Sequence, residues 1–182
     1  MINNIKTFYP HCDSLSCHEI HNTTFYIRDV DNSKCEAVQN PNDATCCVEN
    51  SNTDDIDFIC IDKCVINNET IKKCDCAVIK NNVIWFIELK EVSFSGNRRL
   101  DSQKRKNGRK KAVKQLASTI NDFKSKGVDL SNYLVAGLIC FPPYINESNP
   151  ITIPTASAQV QLLEYINLCG YSDLFEGNHI VL

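Results

Sequence analysis

Up to residue 55, polar and apolar positions follow no sustained period. "TTFYIRDV" (23–30) reads as a strand and "PNDATCCVENSNTDD" (41–55) mostly as loop. From residue 56 the pattern sharpens. "IDFICIDKCVI" (56–66), "IKKCDCAVI" (71–79) and "VIWFIELKEV" (83–92) are rich in β-branched and aromatic residues and read as strands. "NNET" (67–70) and "KNN" (80–82) separate them, and asparagine tolerates turn conformations. Three strands on short turns predict an antiparallel meander.

A charged segment, "SFSGNRRLDSQKRKNG" (93–108), reads as loop. In residues 109–127, Ala112, Val113, Leu116, Ala117, Ile120 and Phe123 recur three and four apart, one apolar stripe of a helix that Gly127 stops. "NYLVAGLICF" (132–141) is nearly all apolar, as in a strand buried on both faces, and Pro142 and Pro143 end it. "ITIP" (151–154) is short and extended. Residues 156–170 predict a second helix ended by Gly170, and "HIVL" (179–182) an edge strand. Strands followed by alternating helix and strand predict an α/β fold, a central mixed β-sheet flanked by helices. The 182 residues suit one domain, divided into a Cys/Asn-rich N-terminal extension (1–55) and an α/β core (56–182).

Charged residues inside the most strand-like segments raise a chemical question. Side chains alternate faces along a strand, so Glu88 and Lys90 share one face, with Trp85, Ile87 and Leu89 on the other. If the second and third strands pair as a hairpin, Asp75 lies near Glu88 and opposite in direction to Cys74 and Cys76. Two close carboxylates repel in a low dielectric and are relieved by a cation between them. Their oxygens suit Mg²⁺ or Mn²⁺, which activates water and polarises a phosphodiester, with Lys90 near the developing charge. The plain alternative is a solvated acid and base on an exposed strand face.

Charge is unevenly spread. The net charge is −3, yet residues 1–75 carry 6 basic and 13 acidic groups, whereas residues 90–114 carry 10 basic and 2 acidic. Arg98, Arg99, Lys104, Arg105, Lys106, Arg109, Lys110, Lys111 and Lys114 directly follow the Glu88–Lys90 strand. Such a run attracts nucleic acid through phosphate contacts, unless it is only a solvated face. Phe94 is the one aromatic neighbour, so base stacking is not indicated.

An acid, a gap, then acid-x-Lys after an apolar run resembles the signature of the PD-(D/E)XK nuclease superfamily. The matching text is "CDCAVIKNNVIWFIELKE" followed by "KKAVKQLASTI", within residues 56–141. The resemblance implies a restriction-endonuclease-like core and a divalent-metal-dependent endonuclease cutting DNA or RNA, with restriction or phage defence as the analogous role. By the same resemblance Asp75 and Glu88 bind the metal with the backbone carbonyl of Leu89, Lys90 is the catalytic lysine, and Gln115 supports them. Cys74 replaces the proline of the motif. A further acid of many members has two candidates, Glu36 and Glu49, and neither is assigned. Many members dimerise. The alternative on the same fold is a non-catalytic module binding nucleic acid or a partner protein.

Eleven cysteines, an odd number, argue against a disulfide framework and leave a bound metal or buried thiols. Cys12, Cys17, His18 and His21, or Cys46, Cys47, Cys60 and Cys64, are candidate ligands of a structural Zn²⁺ that would hold the N-terminal region in shape. The four histidines suggest no nucleophile–base pair. No apolar run approaches the roughly 18 residues of a membrane span. "MINNIKTFYPHC" lacks a basic start and apolar core, so a cytoplasmic protein off the membrane is expected.

Overall fold

The computed structural model describes residues 1–30, 33–42, 44–90, 98–141 and 156–182, with backbone only for Arg98, Ala156 and Ser157. In chain order the elements are α1 (Ile2–Phe8), β1 (His18–His21), β2 (Phe25–Arg28), β3 (Glu36–Val38), β4 (Cys46–Glu49), β5 (Ile56–Cys60), β6 (Cys76–Lys80), β7 (Val83–Leu89), α2 (Arg98–Ser125), β8 (Leu134–Cys140), α3 (Ala156–Cys169), β9 (Asp173–Glu176) and β10 (His179–Val181), with a 3₁₀ turn at Pro10–Cys12.

The fold is mixed α/β. Its main sheet has the order β1-β5-β6-β7-β8-β9. The meander β5-β6-β7 is antiparallel, as its short turns require, with Cys76 opposite Ile87. β7, β8 and β9 run parallel, and α2 and α3 make the long crossovers that parallel neighbours need. A second sheet, β10-β4-β2-β3, is antiparallel except for β10 beside β4.

Both faces of the main sheet are covered, which is why its central strands read as nearly continuous apolar runs. On one face Phe86 of β7 meets Phe123 of α2, their rings 5.6 Å apart, and Tyr9 after α1 packs on Phe123 at 5.4 Å. On the other, Phe58 of β5 meets Phe25 of β2 at 6.0 Å. Gly137 on β8 keeps the helices close: a Cβ there would stand 3.1 Å from the Tyr165 hydroxyl of α3 and 3.3 Å from Leu116 of α2. α2 ends where the sequence indicates, at Gly127 with φ +90°, and the Val128 N–H donates back to the Phe123 carbonyl at 2.9 Å.

The structure corrects several expectations. There are two sheets among the described residues, and "HIVL" edges the second. The segment read as loop at 41–55 contains β4. The strand expected from Ile71 begins at Cys76, and Asp75 before it is still bonded to the neighbouring strands, its carbonyl accepting from the Ile61 and Asp62 N–H groups at 2.9 and 3.2 Å. The charged "loop" at 93–108 is helical from Arg98. Its Arg, Lys and Gln residues are good helix formers, and its first turns are largely exposed, so no apolar stripe marks them. Cys17 and Cys64 form a disulfide, their Cα atoms 5.4 Å apart, where only thiols or metal ligands were expected. The other nine cysteines are free and buried. Phe94, Pro142, Pro143 and the "ITIP" segment lie outside the described residues. Among those described, no helix is long and apolar enough to cross a membrane.

Candidate active site

Asp75 immediately precedes β6, and its N–H donates to the Ile87 carbonyl at 3.1 Å, extending the β6–β7 ladder by one step. That step sets Asp75 beside Glu88. The Leu89 N–H donates to Asp75 Oδ2 at 2.6 Å and fixes the carboxylate. Glu88 shares the face of Phe86, so the face expected to be polar lies under α2. Glu88 is only 1 % exposed. Lys90, one residue past β7, reaches back to Glu88 Oε1. Its Nζ also donates to Gln115 Oε1 at 2.9 Å.

α2 clamps this end of the meander. Gln115 Nε2 donates to the Lys73 carbonyl at 3.0 Å, and one turn on, Thr119 Oγ1 accepts from the Cys74 N–H at 2.9 Å. The backbone of Lys90 is tied to β8 through its N–H and the Cys140 carbonyl at 2.9 Å. The four side chains expected to form the site, Asp75, Glu88, Lys90 and Gln115, therefore meet in one place. Leu89 contributes its N–H to Asp75.

Burial dominates the electrostatics. It pushes the Asp75 carboxyl up to about 7, opposed by the Leu89 N–H and reinforced by the charge of Asp29. Burial also drives the Glu88 carboxyl well above the usual carboxylate range, with Asp75 adding repulsion and Lys90 opposing it. Glu88 Oε2 is buried and has no hydrogen-bond partner among the described residues. A buried unpaired carboxylate oxygen is costly.

The carboxylates line a cleft of about 580 Å³ bounded by Asp29, Leu89, Lys90 and the α2 residues Lys104, Asn107, Gly108, Lys111 and Gln115. Asp29 was not anticipated. It follows β2 and reaches the cleft from the second sheet, and no spacing in the sequence ties it to Asp75. The two acids considered for an extra role are engaged elsewhere: Glu36 pairs with Arg28 at 2.9 Å and Glu49 with His179 at 2.9 Å.

The basic run divides between faces of α2. Arg105 and Arg109 turn away from the cleft and hold Glu176 of β9, at 2.8 and 2.6 Å, and Arg105 also stacks over Phe141. Lys104 and Lys111 line the cleft. Lys110, Lys111 and Lys114 face an adjoining groove together with Lys72 and Lys73. Arg99 and Lys106 are exposed, and the side chain of Arg98 lies outside the described residues.

The structure does not bring the candidate zinc ligands together. Cys17 is bonded to Cys64, His18 holds Asp57 at 2.6 Å and His21 Nε2 stands 3.2 Å from Glu19. Among the described residues no group of three or more His, Cys, Asp or Glu side chains is placed to hold a metal ion. No family model matches the chain, and neither a curated protein nor a solved structure matches it.

Proposed function

We propose that this cleft is the active centre of a divalent-metal-dependent nuclease that hydrolyses phosphodiester bonds in DNA or RNA. The observation that carries the reading is the unpartnered, buried Oε2 of Glu88 beside the Asp75 carboxylate. An oxygen kept dry and unpaired at the foot of an open cleft is suited to a ligand that enters the cleft. Two carboxylates and further carbonyl or water oxygens are a sufficient donor set for Mg²⁺ or Mn²⁺, which takes few protein ligands. Such an ion, when bound, polarises a phosphodiester oxygen and lowers the pKa of a coordinated water.

The chain's own residues hold the rest. The Leu89 N–H orients Asp75, whose elevated pKa means that it gives up a proton before it serves as a ligand. Glu88 and Gln115 hold the Lys90 ammonium at the cleft, where it stabilises negative charge developing on the phosphate. Gln115 is a positioning residue, anchored by the Lys73 carbonyl.

The direct Glu88–Lys90 contact favours a second reading, a nucleic-acid- or partner-binding module, because it neutralises the acid without a metal ion. Cleavage of a mixed DNA and RNA panel with Mg²⁺ or Mn²⁺, against EDTA and against Lys90→Ala, separates the two. Metal-dependent cutting lost in the variant is expected. Binding that survives EDTA, with no cutting under either metal, supports the module instead.

A further inference from the structure

The basic run is not one patch. Beside the carboxylate cleft lies a second groove of about 610 Å³, walled by the segment before β6 on one side and by α2 on the other. The two cavities share Asn107, Lys111 and Gln115 and so adjoin along α2.

The second groove is positively charged. Lys73 is internally balanced by Asp62 at 3.3 Å, and Lys114 stands 3.8 Å from Glu164. Lys72, Lys110 and Lys111 are exposed and hold no carboxylate among the described residues, and Glu69 is the remaining acid of the lining. Ile71, half-buried, supplies an apolar wall between the lysines. From Lys104 to Lys114 the helix rises roughly 15 Å at 1.5 Å per residue. That exceeds several times the ~3.4 Å axial spacing of phosphates along one strand of a duplex. Charge continuing beyond the carboxylates has no use for a single phosphate but suits a strand.

We infer that the groove between Lys72 and α2 residues Lys110 and Lys111 is a second phosphate subsite, which holds the backbone of a polynucleotide strand next to the bond presented to Asp75 and Glu88. The inference rests on the nuclease reading only for the identity of that neighbouring bond; the subsite itself stands on the groove. The substrate class is thereby a strand that runs through the site, not a free nucleotide.

The test is binding of fluorescent single-stranded DNA and RNA oligonucleotides of several lengths in EDTA, so that no cleavage intervenes. Wild type is compared with the Lys72→Ala/Lys110→Ala double variant and with Lys126→Ala, just past the far end of α2. Both groove lysines are exposed, and an unchanged melt establishes that the variant is folded. The expected result is affinity that rises with oligonucleotide length and falls about tenfold in the double variant at low salt, with the salt slope reduced by about 1.4, that is 0.7 per lost contact. Lys126→Ala leaves both unchanged. A preference shared by the DNA and RNA arms assigns recognition to phosphate; a preference for one assigns the sugar as well. Equal affinity and slope in the double variant overturn the subsite, as does binding of inorganic phosphate with no gain from length. The two readings fail separately. Metal-dependent cleavage with KM unchanged in the double variant overturns the groove and keeps the nuclease; lysine-dependent binding without cleavage under any metal does the reverse.

Discussion

The two faces of the main sheet bury different kinds of polar group. Under α2 lie Glu88, with Asp75, Lys90 and Gln115 at the edge. Against the second sheet lie thiols: Cys35 sits 3.6 Å from Cys60 and donates to the Asp75 carbonyl at 3.3 Å, while Cys76 and Cys140 are fully buried nearby. Burial raises the pKa of the Cys76 and Cys140 thiols and keeps them neutral. A buried thiol behaves as a small apolar group and needs no partner. A buried carboxylate does need one, and Glu88 has one for only half of its oxygens. Under the function proposed above, the carboxylate face is the one adapted to chemistry: the thiol face is satisfied as it stands, whereas Glu88 keeps one buried oxygen without a partner among the described residues.

The strongest way to break that contrast is to truncate each face. Asp75→Ala and Glu88→Ala are expected to lower metal-dependent cleavage by at least about 10³-fold, the scale of removing a principal charge-stabilising group. Cys46→Ser, in the second sheet, should leave the rate within about twofold and instead cost about 1–3 kcal/mol of stability by burying a hydroxyl. Rates from single-turnover cleavage and denaturant melts of the same three variants test both halves. Cutting retained in the acid variants would remove the site assignment.

The disulfide sets a second scale, independent of either face. The Cys17–Cys64 bond closes a loop with a sequence separation of 47. The chain-entropy account assigns such a loop about 4 kcal/mol, and measured effects run at about 2–4 kcal/mol. Cys17→Ser should lower stability by that amount while metal binding at the cleft is unchanged, as read by melts and by calorimetric titration with Mn²⁺. A variant as stable as wild type would show the bond to be dispensable.

The carboxylate face was more legible than the thiol face. Asp75, Glu88 and Lys90 were placed together by strand alternation and hairpin pairing, rules that act over few residues, whereas Gln115 was expected only from the resemblance. Asp29 was not legible, since it arrives from a strand of the other sheet, and sheet-to-sheet packing leaves no spacing in the chain. β5, β6, β7, β8 and the second half of α2 announced themselves because each carries a full period of apolar residues. β1, β3, β4 and β9 span three or four residues each, too short for alternation to show. The extension of α2 back to Arg98 was hidden because its first turns are largely exposed and carry no apolar stripe. Lys72 and Lys73 were in plain view before Asp75, yet only the groove gives them a role.

At the edge of the carboxylate face, Gln115 joins α2 to the sheet. It touches Lys90 on one side and the Lys73 carbonyl on the other. Gln115→Ala should slow cleavage by about tenfold with little change in KM, a loss of orientation and not of binding. Lys90→Ala combined with Gln115→Ala should be no slower than Lys90→Ala alone, because Gln115 acts through Lys90. Additive losses would give Gln115 a contact of its own with the substrate.

The smallest effect is the most specific to a buried acid without its ligand. In EDTA, Asp75 in the unfolded chain ionises at its ordinary 3.8, while in the folded protein it keeps its proton until about 7. Between those values the folded state binds more protons than the unfolded one, so stability falls as pH rises and the full contribution is present only below 3.8. The decline should amount to about 1–3 kcal/mol after allowance for the partial exposure of Asp75. Asp75→Asn should reduce it, leaving the decline that the raised Glu88 carboxyl contributes. Adding Mg²⁺ or Mn²⁺ should restore stability above pH 7 in wild type and not in the variant, because the ion binds the ionised form. Melts at half-unit steps of pH, with and without metal, measure all three. Stability that climbs through this window in EDTA would mean that Asp75 is already charged and satisfied within the chain, and the carboxylate face would then be as self-contained as the thiol face.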